Sequence, residues 1–171
     1  MIRFTEPWFP SGPRQRAMSK AVAFVTERLN GEEGLGAIFP AMANAVMHTT
    51  GQAFMMAFQA GGPHAQDRGL EAVAYATHEL RRVPASAVWE KPQGKNEPIR
   101  MEKNFRAVPR GVGLVIGCCT FPTWNGYPGL FASLATGNAV VVKPHPAAIL
   151  PLAMTVKIAR EVLAEAGFDP N

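Results

Sequence analysis

The chain has 171 residues, 47% of them hydrophobic and 18% charged, with a formal net charge of +4. That is room for one domain with a real core, and it excludes a disordered chain or a fibrous repeat. The longest apolar runs, such as Ala139-Val140-Val141-Val142, are far short of a bilayer span, and adjacent Cys118 and Cys119 make no disulfide framework. No charged-then-apolar leader opens the sequence, so a soluble, cytoplasmic domain is expected.

In chain order, Ser11-Gly12-Pro13 reads as a helix start, and Met18, Val22, Val25 and Leu29 fall on one helical face up to Asn30-Gly31. Phe39, Met42, Ala43 and Val46, then Phe54, Met55 and Phe58 beyond a glycine, keep the helical period until Gly61-Gly62-Pro63 breaks it. Leu70, Val73, Ala74, Thr77 and Leu80 form a third apolar face ending at Arg81-Arg82 and Pro84. The methionines, among them Met42, Met47, Met55 and Met56, read as core filler. Residues 1–84 are therefore expected to be helical.

The pattern changes next. Gln93-Gly94-Lys95-Asn96 is a turn signal, and Ile99, Met101, Lys103, Phe105 and Ala107 alternate as in an exposed strand, so residues 85–108 are expected to form a protruding β-hairpin. Residues 109–171 read as a βαβα unit. A buried-looking strand spans residues 112–116, a turn residues 117–122, a short helix residues 128–135 and a second strand residues 139–142. A helix through Leu152, Val156, Ala159, Leu163 and Ala166 follows, capped by Gly167. Strand-helix-strand-helix implies parallel strands with right-handed crossovers, hence an α/β fold. Two parallel strands cannot bury both of their faces, so the sheet is expected to be completed by another chain or, as favoured here, by more of a longer one.

Eight Lys/Arg (Arg81, Arg82, Lys91, Lys95, Arg100, Lys103, Arg106, Arg110) stand against three Glu (Glu90, Glu97, Glu102) across the hairpin region. A surface for nucleic acid or a phosphate-bearing ligand is one reading. A solvated hairpin is the other, and it is favoured because stacking aromatics are sparse and no nucleic-acid motif accompanies the charge. The carboxyl edge of the strands is where open α/β sheets place ligands, which marks residues 117–122 and Lys143. Cys118 and Cys119 lack a base at a telling spacing and read as small residues in a tight turn. His48, His64, His78 and His145 have no ligand spacing, so no metal site is expected. Neither standard Gly-rich nucleotide loop is present.

The runs Pro109-Arg110-Gly111-Val112-Gly113-Leu114-Val115-Ile116-Gly117, Phe121-Pro122 and Ala135-Thr136-Gly137-Asn138-Ala139-Val140-Val141-Val142-Lys143-Pro144 resemble the aldehyde dehydrogenase superfamily over about residues 80–171. The segments Met47-His48-Thr49-Thr50-Gly51-Gln52-Ala53-Phe54, residues 58–68, Thr120-Phe121-Pro122-Thr123-Trp124-Asn125-Gly126-Tyr127-Pro128 and Lys143-Pro144-His145-Pro146 resemble its PaaN-like branch, the phenylacetic acid degradation proteins. The resemblance implies a partial Rossmann-type cofactor domain and NAD- or NADP-dependent oxidation of an aldehyde, including a CoA-thioester semialdehyde. It also implies a homo-oligomer built through the hairpin, with neither nucleic acid nor membrane as partner. It places Ile116, Gly117, Cys118, Cys119, Lys143 and His145 at the cofactor, with Lys143 on the adenine ribose.

Two positions depart from the family pattern. Most members carry Trp-Asn before Phe-Pro, the Asn amide stabilising the oxyanion; here Cys119 and Thr120 stand there. Matching Trp124-Asn125 instead would shorten the interval to Lys143 by five residues, so Thr120 is the candidate oxyanion donor. The family's Lys-Pro-Ser-Glu becomes Lys143-Pro144-His145-Pro146, which removes a ribose-binding carboxylate and admits NADP beside NAD. The nucleophilic cysteine, the general-base glutamate and the Gly-rich turn are expected beyond Asn171, making this the inactive front part of a dehydrogenase. A non-catalytic, self-associating relic is the alternative.

Overall fold

The computed structural model describes residues 32–171 and the side chains from residue 40 onward. The helix expected over residues 11–29 lies outside the described residues. Helix α1 (Glu32–Thr50) is followed by α2 (Phe54–Gly61) and α3 (Pro63–Arg81). Met42, Ala43, Ala45 and Val46 of α1 are buried, and Ala43 and Val46 meet Ala57 and Phe58 of α2. Gly51, at φ +73°, turns the chain between them. Pro63 then occupies the first turn of α3, where its missing N–H leaves no bond unmade.

The face α3 buries is rotated from the one its periodicity suggests. Ala65, Gln66, Gly69 and Val73 are buried, while Leu70 and Leu80 are half-buried. Small residues win because α4 lies close: a Cβ on Gly69 would stand 2.8 Å from Phe131 Cδ2. Phe131 itself is 1% exposed and anchors a core with Val73, Val115, Tyr127, Leu130, Leu134, Val162 and Leu163. Burying one such ring is worth about 1.5–3 kcal/mol. Met55 and Met56, expected in the core, are largely exposed because α2 is short and turns only Ala57 and Gly61 inward.

Strands β1 (Ser86–Gln93) and β2 (Asn96–Asn104) pair antiparallel, Trp89 opposite Met101 and Glu90 opposite Arg100. Gly94 makes the turn at φ +63°, and every residue of both strands is exposed, as a hairpin standing off the body requires. After it, β3 (Val112–Ile116) and β4 (Ala139–Lys143) pair in parallel across α4 (Pro122–Ala135), from Val112 opposite Ala139 to Ile116 opposite Lys143. Asn138 Oδ1 accepts from the backbone N–H groups of Arg110 and Gly111 at 2.7 and 3.1 Å, clipping the two strand starts together. A short 3-10 turn (Pro146–Ala148) leads into α5 (Ile149–Glu165), which buries Leu152, Thr155, Ala159, Val162 and Leu163.

Two expectations need correction. Helix α4 begins at Pro122, not Pro128: Pro122 is a favourable first-turn residue, and Pro128 is carried inside the helix at the loss of one backbone bond. Strand β3 is covered on one face only. Val115 packs on α4, while Val112, Leu114 and Ile116 are 69, 64 and 66% exposed, because among the described residues no layer lies on their side of the two-stranded sheet. Among the described residues, no helix is long and apolar enough to cross a membrane.

Candidate functional site

At the carboxyl edge of β3 and β4 the chain makes a tight loop over residues 117–121 before entering α4. The Gly117 N–H donates to the Lys143 carbonyl at 2.9 Å, so the loop leaves the sheet directly beside the end of β4. Gly117 and Gly126 flank the Leu152 side chain of α5: a Cβ on either would stand 2.6 or 2.9 Å from a Leu152 methyl. The loop therefore lies on α5 at a distance that only glycine permits there.

The Cys118 sulfur accepts from the Phe121 N–H at 3.4 Å and from Asn125 Nδ2 at 3.1 Å, and the same amide nitrogen donates to the Phe121 carbonyl at 3.2 Å. Both cysteines are free and half-buried, so Cys118 acts as an acceptor within a turn, in keeping with its reading as a small turn residue. The Thr120 carbonyl accepts from Gln52 Nε2 across 68 residues of sequence. Behind the loop, Trp124 meets Phe121 edge-on at 6.3 Å, and the Arg68 guanidinium sits 5.3 Å from its ring. Arg68 also pairs with Glu71 at 2.5 Å. Deeper, the Tyr127 hydroxyl bonds Thr155 Oγ1 at 3.1 Å. Burial pushes the phenol above its ordinary value of 10.0, the Thr155 bond opposing in part.

The residues singled out from sequence lie along this one edge. Ile116 ends β3 opposite Lys143; Gly117, Cys118, Cys119 and Thr120 form the loop; Lys143 is exposed at the end of β4. His145 follows, its Nδ1 accepting from the Ala147 N–H at 3.1 Å and capping the 3-10 turn. Thr120 is exposed, free of the core. Two participants take roles here that the sequence reading did not give them. Gln52 carries no local signal, being 68 positions from its partner. Asn125 is signalled only if α4 starts at Pro122, which puts it in the first turn. Among the described residues, no three His, Cys, Asp or Glu gather as a metal site would require.

Comparison with known proteins decides the ancestry of this edge. Residues 37–171 match the sequence profile of the aldehyde dehydrogenase family. The chain belongs to the aldehyde dehydrogenase family. The crystal structure of an NAD-dependent aldehyde dehydrogenase from Burkholderia multivorans is 63% identical, with a TM-score of 0.73 over 94% of this chain. An apo betaine aldehyde dehydrogenase from Staphylococcus aureus shares the fold at a TM-score of 0.56, 18% identity and 86% coverage of this chain. The chain spans 31% and 26% of those two dehydrogenase chains.

A second likeness overlaps the first. Residues 1–67 match the N-terminal domain of squalene-hopene cyclase. Squalene-hopene cyclases of Bradyrhizobium diazoefficiens and Zymomonas mobilis are 57% and 62% identical over 47 residues, which is 28% of this chain but 7% of each cyclase.

Proposed function

We propose that these residues form the front of the cofactor-binding region of a PaaN-like aldehyde dehydrogenase of aromatic catabolism. The whole protein would oxidise an aldehyde, or a CoA-linked semialdehyde, to the acid in the cytoplasm as a homo-oligomer. The observation that carries the reading is the β3–β4 edge, where Ile116 pairs with Lys143 in parallel register and the loop over residues 117–120 leaves beside it through the Gly117 N–H bond to the Lys143 carbonyl. The chain's 63% identity to an NAD-dependent dehydrogenase supports the same reading.

The donor set suits a nicotinamide dinucleotide. Lys143 presents an exposed ammonium at the strand end, and His145-Pro146 adds no carboxylate beside it, so both a ribose hydroxyl and a ribose phosphate are compatible. When bound, NAD or NADP supplies the hydride acceptor. Lys143 and His145 would hold its adenosine side, and residues 116–119 its passage toward the reacting carbon. Thr120 would offer its hydroxyl to the oxyanion formed when a thiolate adds to the aldehyde. The family resemblance implies a nucleophilic cysteine and a general-base glutamate in parts of the family sequence that these 171 residues do not span. Alone, they are therefore expected to turn over no aldehyde.

The test is a titration of the purified chain with NAD and NADP, followed by tryptophan fluorescence, beside Lys143→Ala. Saturable binding that weakens several-fold in the variant is expected. Equal binding by both proteins would remove Lys143 from the site, and aldehyde-dependent reduction of NAD by the chain alone would overturn its assignment as inactive.

The cyclase likeness favours a second reading for residues 1–67 only: a stretch of cyclase ancestry joined to a dehydrogenase body somewhere in residues 37–67, where the two matches overlap from α1 to the start of α3. At 7% of a cyclase's length it would bring no cyclase chemistry. Sequencing genomic DNA through the codons of residues 37–67, with peptide mapping of the protein across the same stretch, decides it; two separate reading frames would refute the joint.

A further inference from the structure

Two side chains outside the residues assigned to cofactor or oxyanion, Gln52 and Asn125, converge on the loop over residues 117–121, where the loop's own Cys118 sulfur is an acceptor. Gln52 reaches it from the connection between α1 and α2; Asn125 reaches back from the first turn of α4; the Cys118 sulfur receives bonds from within. A carbonyl in such a loop has no ladder or helix partner, so its peptide plane is set by whatever donor meets it. For Thr120 that donor is the Gln52 amide, fixed on its own side by Gly51 in a left-handed turn.

We propose that Gln52 is a positioning residue: by pinning the Thr120 carbonyl it fixes the Thr120–Phe121 peptide, and with it the direction in which the Thr120 hydroxyl points. Asn125 and Cys118 complete the brace from the other side, both acting on Phe121. The α1–α2 connection thereby sets the geometry of a loop far away in sequence. The functional meaning of this brace rests on the oxyanion role proposed for Thr120, but its existence does not.

Hydrogen–deuterium exchange of the 171-residue chain tests it, read on the peptide covering residues 117–125. Gln52→Glu keeps the shape and removes the donor; Gln52→Lys keeps a donor of similar reach. Gln52→Glu is expected to speed exchange of that peptide about fivefold, the weight of one hydrogen bond, while Gln52→Lys stays near wild type. Protection elsewhere and the thermal midpoint are expected to hold. Wild-type exchange in Gln52→Glu overturns the proposal, as does loosening in both variants alike or loosening spread through the whole domain. The same variants titrated with NAD separate the two readings: loss of the loop signal alone removes the brace, and failure of wild type to bind removes the cofactor assignment.

Discussion

Leu152 fills the space beneath the loop, and a double-mutant cycle on it measures how tightly the edge is built. The residue is 1% exposed, with one methyl 2.6 Å from where a Gly117 Cβ would stand. Gly117→Ala forces that methyl aside and is expected to cost about 1–3 kcal/mol, as overpacking generally does. Leu152→Ala removes the obstructing carbons and opens a cavity that neighbouring glycines cannot fill, costing about 3 kcal/mol within a range of about 2–5. In the double variant the new methyl at position 117 is freed of Leu152 Cδ1, and the next nearest atoms are Pro144 Cα at 3.5 Å and the Lys143 carbonyl at 3.8 Å, both ordinary contacts. The double variant is therefore expected to lose about 1–3 kcal/mol less than the two singles summed. Urea unfolding followed by tryptophan fluorescence resolves this against a total of about 5–15 kcal/mol. Additivity within about 0.5 kcal/mol would show that Leu152 does not wedge the loop.

Gly69→Ala should lower stability by about 1–2 kcal/mol despite the helix propensity alanine gains, because Phe131 is wedged edge-on against Tyr127 at 5.3 Å and cannot swing away; a raised urea midpoint would refute this. Burial raises the Tyr127 pKa, so the folded state holds the phenolic proton more tightly than the unfolded chain. The stability this contributes is full below 10.0 and falls as pH climbs through the higher folded value. Tyr127→Phe should flatten that alkaline decline in urea midpoints measured from neutral pH to beyond 10.0, and an unchanged slope would clear Tyr127. His145→Ala should cost about 1 kcal/mol by uncapping the 3-10 turn, and His145→Ser should recover most of it, read as thermal midpoints; equal losses would show that the cap carries no weight.

Much of this arrangement is written in local pattern. Gln93-Gly94-Lys95-Asn96 forces a turn and the flanking alternation gives two strands. Of the apolar steps of α5, Leu152, Ala159 and Leu163 are buried, because a helix on one side of a sheet buries one stripe, while Val156 is half-buried and Ala166 exposed past the helix end. The start of α4 is not legible in the same way: Pro128 and two glycines resemble a loop, and only the packing of Gly126 on Leu152 and Gly129 on Val115 shows why a helix carries them. The exposure of β3 was hidden for a related reason. Val112, Leu114 and Ile116 are as apolar as residues buried on both faces, and sequence cannot show which layer stands beside them. At the edge itself, the residues named by motif stand at the adjacent ends of β3 and β4. Gln52 was invisible because its contact is purely tertiary.

The packing of α1 against α5 has a consequence for how the polypeptide is made. About a hundred residues separate these helices, so on a ribosome adding roughly 5–20 residues each second α1 leaves the exit tunnel on the order of 5–20 s before its partner exists. Until then Ala43 and Val46 rely on α2, and the rest of the α1 face on whatever holdase waits at the tunnel mouth. Slowing translation ahead of α5 should lengthen that interval and raise dependence on chaperones without altering a single residue.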